Sequence, residues 1–173
     1  MLRMTHFCSL RPIPFLIAAC LLPLPAQAQY SGGSGTAQDP YQIATVADLI
    51  ALGATPADYN KHFVLTADLD LDPNLPGRKV FADAVIAPLH PAWRGWATPF
   101  FSGVFDGRNH TIRHLTIAGG GYPGLFGGCS DAAVANLNLE AVNIEGTANI
   151  DGPLGAAGSL IGLNQSIVTN CSS

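Results

Sequence analysis

His110 and His114 stand four residues apart, a spacing that on a helix would place two imidazoles over one metal ion. Their surroundings read as extended chain, in which four residues span about 13 Å, so the pair cannot share a metal by itself. No His-Glu-x-x-His occurs, which leaves the sequence without a zinc-peptidase site. Asp68, Asp70 and Asp72 resemble the opening of a calcium loop, but Pro73 fills the slot of the turning glycine and Lys79 the twelfth position, where a glutamate is needed. They read instead as the solvent face of an amphipathic strand, with a calcium ion between that face and a neighbouring loop left open. Gly119-Gly120-Gly121-Tyr122-Pro123-Gly124 spells Gly-x-Gly-x-x-Gly. A dinucleotide site needs a helix after those glycines, whereas Pro123 and the strand-like Leu125-Phe126 point to a turn. Ser34 lacks the following glycine of a hydrolase elbow, because position 36 is threonine.

Carboxylates are the remaining candidates for catalysis. Asp106, Asp131, Glu140, Glu145 and Asp151 could do acid and base work on a glycan if two of them were paired on an outward surface. Asp106 sits in the turn sequence Phe-Asp-Gly and Glu140 at an expected corner, and no pairing is visible. Trp93, Trp96, Tyr122 and Phe126 suit a sugar-stacking platform or the packing of a long insertion, and the second reading is adopted. The sequence therefore assigns no catalytic, cofactor-binding or metal-ligating residue, and the expectation is that this segment is not an enzyme.

These residues must be held by elements that export and composition constrain. The chain has 173 residues, with twelve Asp and Glu against eight Lys and Arg and a formal net charge of −4. Arg3 and Arg11, the apolar stretch Ile13–Leu24 and the small-x-small site Ala26-Gln27-Ala28 read as a secretory signal peptide over residues 1–28. Pro14, Pro23 and Pro25 interrupt the apolar run, which is too short for a bilayer core of about 30 Å. The alternative is lipidation at Cys20, within Ile17-Ala18-Ala19-Cys20. Removing the leader also removes two of the cations and leaves six Lys and Arg against twelve Asp and Glu, an acidic balance unsuited to holding a nucleic acid, and no later segment is apolar enough for a transmembrane span. Cys129 and Cys171 then lie in a compartment that permits disulfides. They fall in different parts of two repeat copies, so they read as small apolar residues rather than as a pair, although pairing stays open.

Residues 29–72 read as an N-terminal cap and first strand. Tyr30–Tyr41 is an exposed Gly- and Ser-rich loop, Thr45 caps a short helix with Asp48 at its third position and Gly53 at its end, and Pro56 starts a second helical turn. His62–Asp72 alternates strictly, with Phe63, Leu65, Ala67, Leu69 and Leu71 on the buried face. Residues 73–100 have no period and read as a long loop or insertion packed by its own aromatics. Residues 101–173 are periodic. Ile112 is out of phase with Leu115 and Ile117, and Val134 with Leu137 and Leu139, so corners are expected at His114 and Asn136. The 22-residue interval from Ile112 to Val134 suggests one rung of three short strands. Gly124-Leu125-Phe126-Gly127 and Val134–Leu139 return as Ser159-Leu160-Ile161-Gly162 and Val168–Ser173, with the excess length in a loop over residues 146–158. The repeat stops part-way through a copy, which reads as an N-terminal fragment of a longer solenoid.

Ser31–Ile43, Phe63–Leu71, Phe101–Ile112 and Gly124-Leu125-Phe126-Gly127 together resemble bacterial exported proteins that carry the GLUG motif. That resemblance implies an all-β fold, a right-handed parallel β-helix with a small N-terminal helical cap, found in adhesin-like surface proteins and in non-catalytic regions of secreted peptidases. It implies no reaction. The expected function is a secreted or cell-surface bacterial scaffold for adhesion or binding, with an extracellular glycan or protein surface as partner and no cofactor. The alternative is a fragment of a carbohydrate-active β-helix enzyme using outward carboxylates.

Overall fold

The structure, a computed structural model, describes residues 29–89, 99–145 and 158–173. The expected leader, Trp93, Trp96, Asp151 and nearly all of the 146–158 loop lie outside the described residues. Within them the chain is mostly β, with parallel sheets and one α-helix. Its strands are β1 (Tyr41–Ile43), β2 (His62–Leu65), β3 (Leu69–Asp70), β4 (Val104–Asp106), β5 (Thr111–Arg113), β6 (Thr116–Ala118), β7 (Phe126–Ala135), β8 (Asn138–Glu140), β9 (Asn143–Glu145) and β10 (Ile161–Thr169). They form a first sheet in the order β1-β2-β4-β7-β10, a second in the order β3-β5-β8 and a third of β6-β9. Every neighbouring pair is parallel. The chain visits the three sheets in succession and then returns to the first, so each circuit lies against the circuit before it.

Short strands with bends between them follow from the apolar pattern. Ile112, Leu115 and Ile117 are all fully buried although they do not alternate, because His114 has φ 56° and turns the backbone between β5 and β6. Asn136, with φ 54°, does the same between β7 and β8. Both expected corners are therefore bends, but they are different corners. The counterpart of His114 one circuit on is Ala141, φ 51°, so Glu140 ends a strand and Ala141 makes the turn. The 22-residue rung is corrected with it: Ile112 stacks on Leu139, 27 residues on, and Val134 stacks on Phe105. Val168 does pair with Val134, and Ile161 with Phe126, as the repeat implied. A register shift between Gln165 and Ile167 leaves Asp131, φ 56°, as the extra residue of β7.

The single strand expected over His62–Asp72 is two strands in different sheets, because the chain leaves extended pairing at Thr66–Asp68. The 73–100 stretch is not wholly a loop packed on itself. Phe81 bridges Ile117 and Ile86 bridges Phe126, both buried, so the chain returns to the sheets twice within it.

The core is a column of rings. Tyr30, Tyr41, Phe63, Phe101 and Phe126 follow one another at centroid separations of 4.6, 5.5, 6.1 and 5.1 Å, and Phe105 packs edge-on to Phe126 at 5.5 Å. Register alone does not build this stack: Phe63 pairs with Phe105 and Phe105 with Val134, while Phe101, just before β4, and Phe126, at the start of β7, carry the ring contacts from one circuit to the next. The N-terminal end of this column is closed. α1 (Val46–Ala54) covers it with Val46, Leu49 and Leu52, and its start is fixed by a reciprocal capping box between Thr45 and Asp48. Desolvation works to raise the Asp48 carboxyl, but hydrogen bonds from Ser31, Ala44 and Thr45 outweigh it and hold the group below its ordinary value. Gly53 does not end the helix, which runs to Ala54; a Cβ there would stand 2.0 Å from the Val85 carbonyl oxygen, so glycine permits close packing. Nor is the opening loop wholly exposed: Tyr30 is buried, and Ser31 and Gly32 bond the backbone of Gln42, sealing the outer edge of β1. At the other end, β10 has no strand beyond it among the described residues, and Ile167 is 68% exposed.

Truncating a ring in the column removes contacts to the circuits on both sides. Phe105→Ala is expected to cost about 3–5 kcal/mol, whereas Ile167→Ala costs under about 0.5 kcal/mol, both read from urea denaturation midpoints.

Candidate functional site: the outward face of the second sheet

The short strands of the second sheet point Leu69, Ile112 and Leu139 inward, and this register turns Asp70, Arg113 and Glu140 outward in one row. Corner residues extend the row on both sides. Asp68 Oδ1 accepts from the Thr111 amide at 3.0 Å and from His110 Nδ1 at 3.0 Å. Asp70 Oδ1 accepts from His114 Nδ1 at 2.8 Å. An ionised carboxylate can only accept, so Nδ1 carries the proton in both imidazoles. Arg113 Nε donates to Glu140 Oε2 at 2.8 Å, and its Nη2 lies 3.8 Å from Asp68 Oδ2. Every one of these contacts joins neighbouring circuits. The two histidines are thus brought to one face but to different aspartates.

The aspartates are occupied in the same way. Asp72 Oδ1 accepts from the amide and side chain of Asn74, and the Asp72 amide donates to Asp70 Oδ1. No group of three metal-ligating side chains occurs among the described residues. The Thr111 amide, His110 and Arg113 hold the Asp68 carboxyl below its ordinary value, and His114 and the Asp72 amide do the same for Asp70. A glycosidase acid must hold its proton near neutrality, so its pKa has to be raised, and these two shifts run the other way. The other candidate carboxylates are scattered. Asp106 ends β4 and its Oδ1 accepts from the Arg108 amide and Asn136 Nδ2, Asp131 occupies the bulge, and Glu145 Oε1 accepts from Asn143 at 2.8 Å. Phe126 is fully buried and cannot stack a sugar. Cys129 and Cys171 are both free, and burial pushes the Cys129 thiol up to about 12, which keeps it inert.

Sequence reasoning missed the amide ladder on the corner beside this face. Asn170 Nδ2 donates to Asn136 Oδ1 at 2.8 Å, Asn136 Nδ2 to Asp106 Oδ1 at 2.9 Å, and Ser172 Oγ to Asn138 Oδ1 at 2.9 Å. The signal was present as asparagines recurring just after each apolar pair, at positions that also need a left-handed backbone. The arrangement clamps circuits together and presents a polar, mixed-charge surface.

No protein-family model and no solved structure matches the chain. The chain is 32% identical over 117 residues to Halomucin of Haloquadratum walsbyi, an alignment covering 66% of this chain and 1% of that protein. It is 30% identical over 148 residues to a protein of Evansella cellulosilytica described as "Putative Gly-rich membrane protein", covering 83% of this chain and 15% of that one. The chain spans a small part of the length of both relatives. No helix among the described residues is long and apolar enough to cross a membrane.

Carboxyls held below their unfolded value contribute stability above pH ~4 that is lost as the pH falls through the folded value. Asp68→Asn/Asp70→Asn is accordingly expected to flatten the fall of the thermal midpoint between about pH 4 and pH 2. A titration limb as steep as that of the unsubstituted protein would contradict the assignment.

Proposed function

We propose that this chain is part of a secreted or cell-surface bacterial scaffold of the GLUG-motif type, a right-handed parallel β-helix that binds or adheres and has no catalytic site in this segment. One observation carries the reading: the outward carboxylates of the second sheet are bonded to His110, Arg113 and His114 on an adjacent circuit, so their chemistry is spent on joining circuits. The helical fold is supported by the three parallel sheets visited in succession and by the helix-capped N-terminal end. An exported location is supported by the Arg3–Ala28 leader, with cleavage near Ala28 or lipidation at Cys20, and by the description of one relative as a membrane protein. Binding of this kind rests on many weak contacts along an elongated surface.

The test is to pass the protein over immobilised bacterial and plant polysaccharides and assay both retention and bond cleavage. Retention with no new reducing ends or unsaturated sugars is expected. Cleavage that disappears in Asp68→Asn or Glu140→Gln would overturn the proposal in favour of a carbohydrate-active enzyme.

A further inference from the structure

The first sheet carries a polar cleft that the second-sheet ladder does not use. It encloses about 290 Å³ and is lined by Gln38, Asp39, Gln42, Val64, Thr66 and Arg108. Among the described residues, neither the Arg108 guanidinium nor the Asp39 carboxylate makes an ion pair or a side-chain hydrogen bond. Arg108 has φ 47° and is followed by Asn109 at 63°. Asparagine accepts this left-handed backbone readily, arginine does not, and a glycine at 108 would adopt it freely. The one local bond of Arg108, from its amide to Asp106 Oδ1 at 3.0 Å, needs no side chain. The left-handed backbone belongs to the corner that Arg108 and Asn109 share with Asn136, but the guanidinium itself stands at a cleft and is drawn into no intramolecular contact among the described residues, so it is available to a ligand.

We propose that this cleft binds the uronate unit of an acidic glycan, an inference that rests on the reading of the chain as a binding scaffold. The planar fork of Arg108 takes the sugar carboxylate in two parallel hydrogen bonds. Asp39 accepts from ring hydroxyls, and the amides of Gln38 and Gln42 both donate to and accept from them. Thr66 Oγ1 donates to the Ile43 carbonyl at 3.3 Å, which leaves its lone pairs to accept as well. A neutral sugar leaves the guanidinium without its match, and a phosphate or sulfate brings more negative charge against Asp39.

The probe is Arg108→Gly, compared with the unsubstituted protein on immobilised polygalacturonate and on neutral galactan. The variant is expected to melt at the same temperature or higher, because the left-handed position is relieved, and to lose about tenfold or more of its affinity for polygalacturonate. The unsubstituted protein is expected to bind polygalacturonate in preference to galactan and to be eluted by free galacturonic acid. Equal affinity of the variant and the unsubstituted protein for polygalacturonate overturns the site and leaves the scaffold reading standing. Failure of the folded, unsubstituted protein to bind any polysaccharide overturns both.

Discussion

No circuit of this chain can bury its own apolar side chains. Strands that are mostly of two to four residues, bent apart by left-handed corners, expose both edges and one apolar side unless another circuit lies directly over them. Parallel stacking supplies that cover, and it does so only in one register, since a slip by one residue would turn Phe63, Phe105 and Val134 outward together. The corner amides and the charged ladder on the second sheet are expressions of that register, and the aromatic column packs inside it. Each contacts the circuit before and the circuit after. The two ends of the stack accordingly differ: residues 31–32 and α1 finish one, while the described residues leave β10 open at the other.

This constraint also sorts the polar chemistry. Asp68, Asp70, His110, Arg113, His114 and Glu140 look like a reactive cluster when written as residue types, but register pairs each carboxylate with a donor one circuit away. Exposed ion pairs of this kind contribute little individually. Their use here is to favour one register, since a slip would carry Asp68, Asp70 and Glu140 away from their donors. Arg108 and Asp39 stand apart because no such partner meets them among the described residues, and that distinguishes a group available to a ligand from one used by the fold.

How much of this was legible in the sequence depends on distance along the chain. The capping box at Thr45 and Asp48, the helical turn at Pro56 and the bends at His114 and Asn136 are local, and their residue types declare them. Register was not legible, because Ile, Leu and Val serve equally at every inward position. His114 and Asn136 looked like one corner repeated since both are polar, while the true counterparts were hidden: Ala141 opposite His114, and Arg108 with Asn109 at the corner of Asn136. The alternation from His62 to Asp72 ran through a corner without losing phase, so two strands read as one. The His–Asp contacts span 42 and 44 residues, with the aperiodic 73–100 stretch between them, and no spacing rule reaches so far.

The register of the second sheet is the claim on which the rest turns, and disulfide trapping tests it directly. In a background with Cys171→Ser, Arg113→Cys/Glu140→Cys places two thiols on exposed neighbouring strands about 5 Å apart, whereas Arg113→Cys/Ala135→Cys samples the 22-residue interval. Rapid oxidation of the first pair and none of the second is predicted. Rapid oxidation of the second pair, with the first remaining reduced, would contradict the stacking on which the fold, the ladder and the function proposed for it all rest.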